Sequence, residues 1–294
     1  MSTTGASTYR DRYFTSQDNL GLHYRDYGEP SGEAVTVLCL AGLTRNSRDF
    51  HALAGFLAAK RRVLALDYRG RGQSAFDPDP RNYRPETLIG DIGDLLTVTN
   101  CHRVVVVGTS LGGVLAMGMG AARPTALAGV VLNDVGPEID VQGLDRIRGY
   151  VGQEAVPESI EAGARQLATM MGRAYPDFTE NDWLTEARAR YRPDASGRLG
   201  LEYDPNIAKP LGTGANKALD LWPYFMALAR TPALAIRGAL SDILSERTLQ
   251  RMAGEKPDLR HLTVPNRGHV PLLSEPVCLE AIETFLDAVD AADV

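Results

Sequence analysis

The chain has 294 residues, of which 44% are hydrophobic and 23% charged, with 29 Gly and 17 Pro. That apolar share is ample for a large core and excludes a wholly disordered, collagen-like or coiled-coil chain. A formal charge of −6 gives no support to a nucleic-acid role, which shows as a basic patch or stripe. Three widely spaced cysteines, Cys39, Cys101 and Cys278, lack a CxxC pair and fit unpaired thiols in a reducing compartment. No basic and apolar leader opens the sequence, and no apolar run approaches the roughly 18 residues that span a bilayer. The expectation is a cytoplasmic protein that binds neither nucleic acid nor membrane.

In chain order, residues 1–10 are Ser/Thr-rich and expected to be a flexible N-terminus. Residues 12–15 and 20–27 read as a hairpin around Gln17-Asp18-Asn19. Next come runs that are apolar on both faces, at 35–40, 62–67, 103–108, 127–133 and 233–238, with a further strand at 261–264. Such runs mark strands buried between helix layers. Between them lie helical patterns: 47–60 with Phe50, Leu53, Phe56 and Leu57 on one face, 85–98 with Leu88, Ile92 and Leu95, then 110–122, 246–252 and 277–289. This alternation predicts an α/β protein with a mostly parallel central sheet flanked by helices.

The alternation breaks once. From Val135 to about Trp222 no buried strand is evident, only helical pieces at 143–151, 158–173 and 181–191, the last with Thr179 as N-cap. A segment of this length between two sheet strands is too long for an ordinary loop. The expected organisation is a core of 11–136 and 223–294 with a helical cap at 137–222.

Gly108-Thr109-Ser110-Leu111-Gly112 has the form G-x-S-x-G, entered by the valine strand 104–107 and left by a helix rich in small residues. In this context the serine sits on a tight strand-to-helix turn, its Oγ projecting beyond the sheet, with the Leu111 N–H and the helix N-terminus facing a developing oxyanion. A serine hydroxyl needs an imidazole base oriented by a carboxylate. Of the five histidines, His269 alone follows a strand's carboxyl end, the edge where open α/β sheets gather their functional groups. Asp242, just past the 233–238 strand, is the preferred acid, and Asp134, just past 127–133, is the alternative. The order Ser110, Asp242, His269 agrees with a known arrangement of such groups.

With these residues in place, the sequence resembles the α/β-hydrolase superfamily over nearly its whole length apart from the cap. The resemblance is carried by Ala41-Gly42-Leu43, Asp67-Tyr-Arg-Gly-Arg-Gly-Gln-Ser74, the Ser110 turn, and Gly268-His269-x-Pro271 with Glu275-Pro276. Within the superfamily it is similar to the single-cap esterase, lactonase and C–C hydrolase branch. The resemblance implies an oxyanion hole from the backbone N–H groups of Leu43 and Leu111 and a structural role for 67–74. Ala41 stands where many relatives have His, and Glu246 where relatives often have Pro. Dehalogenases and epoxide hydrolases of this type use Asp at the position of Ser110, which instead suits acyl transfer.

The functional expectation is a cofactor-independent serine hydrolase of a small carboxylic ester, lactone or related acyl compound. The alternatives are C–C bond cleavage of aromatic ring-fission diketones and a non-catalytic ligand-sensing receptor. No metal is expected, because the histidines are scattered and form no HxH or HExxH cluster. Gly212-Thr-Gly-Ala-Asn-Lys217 is too short for a phosphate-binding loop and reads as a flexible connection. Met170, Met171, Trp183, Trp222 and Phe225 are candidates for an apolar substrate pocket or for the cap's own packing. Arg45 is a candidate contact for a polar or carboxylate group, and Asn46 for capping the following helix. A homodimer is neither indicated nor excluded by these patterns.

Overall fold

A computed structural model of the protein describes residues 8–29, 34–153, 155–211 and 220–292. The strands are β1 (Tyr9–Thr15), β2 (Gly21–Tyr27), β3 (Thr36–Leu40), β4 (Val63–Asp67), β5 (Val104–Thr109), β6 (Leu127–Asn133), β7 (Tyr191–Pro193), β8 (Leu199–Leu201), β9 (Ala233–Gly238) and β10 (Arg260–Val264). The helices are α1 (His51–Leu57), α2 (Pro85–Val98), α3 (Leu111–Ala122), α4 (Val141–Tyr150), α5 (Ile160–Met171), α6 (Glu180–Arg190), α7 (Trp222–Met226), α8 (Glu246–Glu255) and α9 (Pro276–Ala292).

Eight strands form one sheet in the order β1-β2-β4-β3-β5-β6-β9-β10. The pairs β1–β2 and β2–β4 are antiparallel, and every pair from β4 to β10 is parallel. Val37–Leu40, Val63–Leu66 and Val104–Val107 are fully buried, as strands covered by helices on both faces must be. The chain moves from β3 to β4 on one side and later to β5 on the other. The loops leaving β3 and β5 therefore diverge and open a crevice at the strands' carboxyl ends. A Cβ on Gly42, after β3, would lie only 3.8 Å from Ser110 Cβ, after β5.

The 99 residues between β6 and β9 include α4 to α6 and a short hairpin of β7 and β8. The helices match the expected pieces, and Thr179 caps α6 in a reciprocal pair with Asp182. The hairpin is a correction to a purely helical segment. Its three-residue strands are too short to show alternation in sequence, and Asp194 and Gly197 close it through a turn. The segment's two ends meet where Leu221 N–H donates to Pro137 O at 3.1 Å. It has its own apolar cluster of Ala164, Leu167, Tyr175, Trp183, Ala187 and Tyr191.

β1 begins at Tyr9, inside the stretch expected to be flexible; residues 1–7 and the Gly212–Lys217 connection lie outside the described residues. The helix expected at 47–60 is a 3-10 turn, Ser47–Phe50, followed by α1, and Asn46 caps it as expected by accepting from Arg48 N–H. The three cysteines are buried and unpaired. Among the described residues no helix is long and apolar enough to cross a membrane.

Candidate active site

Glycines make the turn that carries Ser110. A Cβ on Gly108 would lie 2.4 Å from Gly112 O, one on Gly112 2.0 Å from Leu40 O, and one on Gly113 2.3 Å from Val135 Cγ1. Strand, turn and helix thus close to distances that no side chain tolerates. Ser110 itself has φ 52°, in the left-handed region, a conformation that costs on the order of 1–3 kcal/mol and is held by its surroundings. Its N–H donates to Asn133 O at 3.0 Å, and its own carbonyl takes the Gly113 N–H at 2.9 Å. Leu111 opens α3, so its N–H is one of the helix's four donors without an intrahelical acceptor.

His269 Nε2 lies 2.9 Å from Ser110 Oγ, and His269 Nδ1 lies 2.8 Å from Asp134 Oδ2. The acid in contact with the imidazole is therefore Asp134, and the preference for Asp242 is corrected. Asp134 follows β6 directly with φ 56°, and its N–H is fixed by Ile236 O of β9 at 2.7 Å. Its carboxylate is wholly buried. It accepts from Gly238 N–H at 2.8 Å and from Ser241 Oγ–H at 2.6 Å. With these donors on the carboxylate, Nδ1–H donates to Asp134, leaving Nε2 to accept from the serine hydroxyl.

Asp242 stands four residues beyond β9 and turns toward α4, where Arg146 grips both its oxygens at 2.6 and 2.8 Å. Its carboxylate is 39% exposed. Burial acts to raise its pKa, but the hydrogen bond and charge of Arg146 outweigh it, with the charge of His269 adding, and the net direction is down.

The His269 loop is braced by the segment between β6 and β9. Gly268 N–H donates to Ala174 O at 2.7 Å and Tyr175 Oη–H to Val270 O at 3.0 Å. Arg267 pairs with Asp177 of the same segment. On the opposite wall, Arg45 N–H donates to Gly42 O at 3.1 Å. In the trans peptide joining Gly42 to Leu43, the Leu43 N–H points away from that bond.

A cavity of about 670 Å³ lies between the strand ends and the inserted segment. Gly42, Leu43, Ser110, Asn133 and His269 form its core side, and Ile147, Met170, Met171, Tyr175, Phe178 and Trp183 its outer side. Trp183 is shared with the insertion's own core, 4.9 Å from Phe178 and edge-on to Tyr175 at 6.1 Å between ring centroids. Met170 is half-exposed at the wall. Trp222 and Phe225 are absent from this lining, which corrects their candidacy. Trp222 Nε1–H donates to Glu138 at 2.7 Å beneath the Arg251 guanidinium, and Phe225 is buried in the main core.

Arg45 reaches the cavity with its charge already met by Asp49 at 2.7 Å and Glu186 at 3.2 Å. Burial lowers its pKa, and those two carboxylates reverse the direction. Arg48, Arg146 and Arg190 also line the cavity, positions that the sequence did not single out because surface and pocket arginines share one local pattern. His51 lines it too, its ring nitrogen 3.2 Å from Tyr27 Oη. Among the described residues no group of three or more His, Cys, Asp or Glu could hold a metal ion.

A family model described as an alpha/beta hydrolase family matches residues 37–278. The 3-hydroxybutyrate-oligomer hydrolase of Cupriavidus necator is 32% identical over 90% of this chain and 93% of its own length. The 2-(acetamidomethylene)succinate hydrolase of Mesorhizobium japonicum is 29% identical over 87% of this chain and 90% of its own. A crystal structure of an alpha/beta hydrolase from Novosphingobium aromaticivorans is 45% identical, with TM-score 0.91, over 96% of this chain and 99% of that one.

Proposed function

The chain belongs to the alpha/beta hydrolase family, and on that premise we propose that it is a serine hydrolase of short carboxylic esters. The observation that carries this reading is the unbroken hydrogen-bond chain from Ser110 Oγ through His269 to the buried Asp134. In the proposed mechanism His269 Nε2 takes the serine proton as Oγ attacks the ester carbonyl, and Asp134 stabilises the resulting imidazolium. The tetrahedral oxyanion settles against the N–H groups of Leu43 and Leu111. His269 then gives its proton to the leaving alkoxide. Water attacks the acyl-enzyme by the same proton transfers in reverse order, releasing the acid and restoring Ser110.

The inserted segment acts in this reading as a cap that walls the ester off from bulk water. For substrate we assign an ester that carries a carboxylate. Arg45, Arg48, Arg146 and Arg190 line the cavity. Asp49 and Glu186 meet Arg45, Glu202 meets Arg48 and Asp242 meets Arg146. The buried Nε–H of Arg48 has no acceptor among the described residues and is the donor assigned to the substrate carboxylate. Both named relatives act on compounds whose names are those of carboxylates, a hydroxybutyrate oligomer and a succinate.

Labelling with a fluorophosphonate probe tests the chemistry. The wild type should take up one equivalent and Ser110→Ala none, and continued stoichiometric labelling of the variant would remove Ser110 from the mechanism. Linear 3-hydroxybutyrate dimers and trimers test the substrate class. They should exceed their methyl-esterified forms by about tenfold or more in kcat/KM, the equivalent of about 1.4 kcal/mol.

A further inference from the structure

Arg69 and Arg71 are the two largest fully buried side chains of the core, and their charges are met in opposite ways. Arg69 faces three carboxylates, Asp18 at 2.8 Å, Asp77 at 2.5 Å and Asp91 at 2.6 Å. Arg71, completely buried, has no carboxylate within ion-pair distance among the described residues. Its Nε donates to Leu43 O at 2.9 Å and its Nη1 to Arg69 O at 2.9 Å, while Nη2 has no partner. The rings of Tyr68 and Tyr83 lie 5.8 and 5.5 Å from the guanidinium carbon. Burial draws its pKa down to about 10, opposed by Tyr68, Tyr83 and Asp204, so the group is still a cation at neutral pH. An unpaired buried cation is unfavourable compared with an apolar side chain of the same size. Stability alone gives no reason for arginine at this place.

The carbonyl that Arg71 holds belongs to Leu43, and the carbonyl before it, Gly42 O, is held by Arg45 N–H. These two bonds fix the peptide planes on both sides of Leu43. We propose that Arg71 is a positioning residue for the oxyanion site, locking the Leu43 backbone so that its N–H is presented to the carbonyl attacked by Ser110. The assignment rests on the serine-hydrolase reading. The strand-like contact of the arginine's own loop adds a second element. Gly72 N–H donates to Glu202 O and Asp204 N–H to Gly70 O, both at 2.8 Å, bridging Arg71 to Tyr203. Glu202 also takes Asn46 Nδ2–H at 2.7 Å and pairs with Arg48. The inserted segment thus grips both the loop that carries Arg71 and the loop that carries Leu43. Seating of that segment and aim of the donor are mechanically linked.

The test uses Arg71→Lys and Arg71→Met, with active sites counted by end-point fluorophosphonate labelling of Ser110. Hydrolysis of p-nitrophenyl butyrate is then expressed per labelled site. Losing one oxyanion donor outright costs about 10²–10³ in kcat. Lysine, which keeps one donor for the Leu43 carbonyl, should lose about tenfold in kcat and methionine about 100-fold. KM should stay within about twofold, since the ground-state ester does not need the donor. Affinity for an arylboronic acid, whose tetrahedral adduct occupies the oxyanion site, should fall in parallel with kcat/KM. A residue that only stabilises the fold would reduce the number of labelled sites and leave kcat per site unchanged, and that result overturns the proposal. So does an unchanged boronate affinity beside a lowered kcat. If the methionine variant does not fold, the lysine variant decides by the same readouts. A wild-type protein that is not labelled at Ser110 overturns instead the hydrolase reading beneath.

Discussion

Two strand ends compete for the same imidazole, and the molecule uses them differently. At the end of β6, Asp134 is wholly buried and accepts from a ring nitrogen, a backbone amide and a hydroxyl. At the end of β9, Asp242 is part-exposed and is held by a single guanidinium. The residue adjoining a strand inherits the strand's rigidity, because its own amide is still in the ladder. Four residues further on, the chain is free to serve the loop. β9 nevertheless contributes to the buried acid: Gly238 N–H and Ser241 Oγ–H, both from its exit, are donors that hold the Asp134 carboxylate in its orientation. Such charge-assisted bonds are strong where water is excluded.

The contrast is broken most directly by exchanging the acids for amides. Asp134→Asn should lower kcat by about 10³–10⁴, because an amide favours the wrong imidazole tautomer. Asp242→Asn should change kcat by less than about threefold, in keeping with its place in a part-exposed ion pair. Steady-state hydrolysis of a p-nitrophenyl ester measures both, and a reversal of their order would return the acid to β9. A smaller effect is expected of Ser241→Ala. It removes one donor from Asp134 and leaves the amides of Ile243 and Leu244 without their acceptor. About 1–2 kcal/mol of stability and roughly tenfold in kcat should be lost, read from urea melts and from turnover.

The smallest effect concerns pH. The Arg146 pair depresses the folded-state pKa of Asp242, so its contribution is present above the unfolded value of about 3.9 and fades as pH falls through the folded one. Solvent screens the pair, and the contribution stays below about 1 kcal/mol. Asp242→Asn should therefore be slightly less stable than wild type at pH 7 and equal to it near pH 2. Thermal melts at the two pH values check this, and a difference that persists in acid would mean that the carboxylate acts otherwise than through its charge.

Ser110 and His269 were legible in the sequence because their signals are local: glycines that only a tight turn requires, and a histidine a few residues past a strand. The sheet was legible for the same reason, since Val104–Val107 or Leu38–Leu40 admits no exposed face. The choice between Asp134 and Asp242 was not legible. It depends on donors at Gly238 and Ser241, which lie more than a hundred residues from Asp134 and beside Asp242 in sequence alone. Aromatic residues misled in part, because Trp183 and Trp222 sit in similar helical surroundings while one faces the cavity and the other a glutamate and an arginine. Arg71 carries no local mark that separates it from Arg69.

The hydrogen bond between Leu221 N–H and Pro137 O joins the two ends of the inserted segment, and it bears on how the architecture can be remade. A loop that leaves and returns through one gap can be exchanged for another without rethreading a single strand. Residues 134–136 would have to stay behind in any such graft. Val135 packs on the glycine face of α3, and a Cβ on Gly136 would strike Met252 Sδ at 2.8 Å. The proposed acid and nucleophile then travel with the sheet and the substrate walls with the graft, which must also restore the contacts that Ala174, Tyr175 and Glu202 make with the loops of His269 and Leu43.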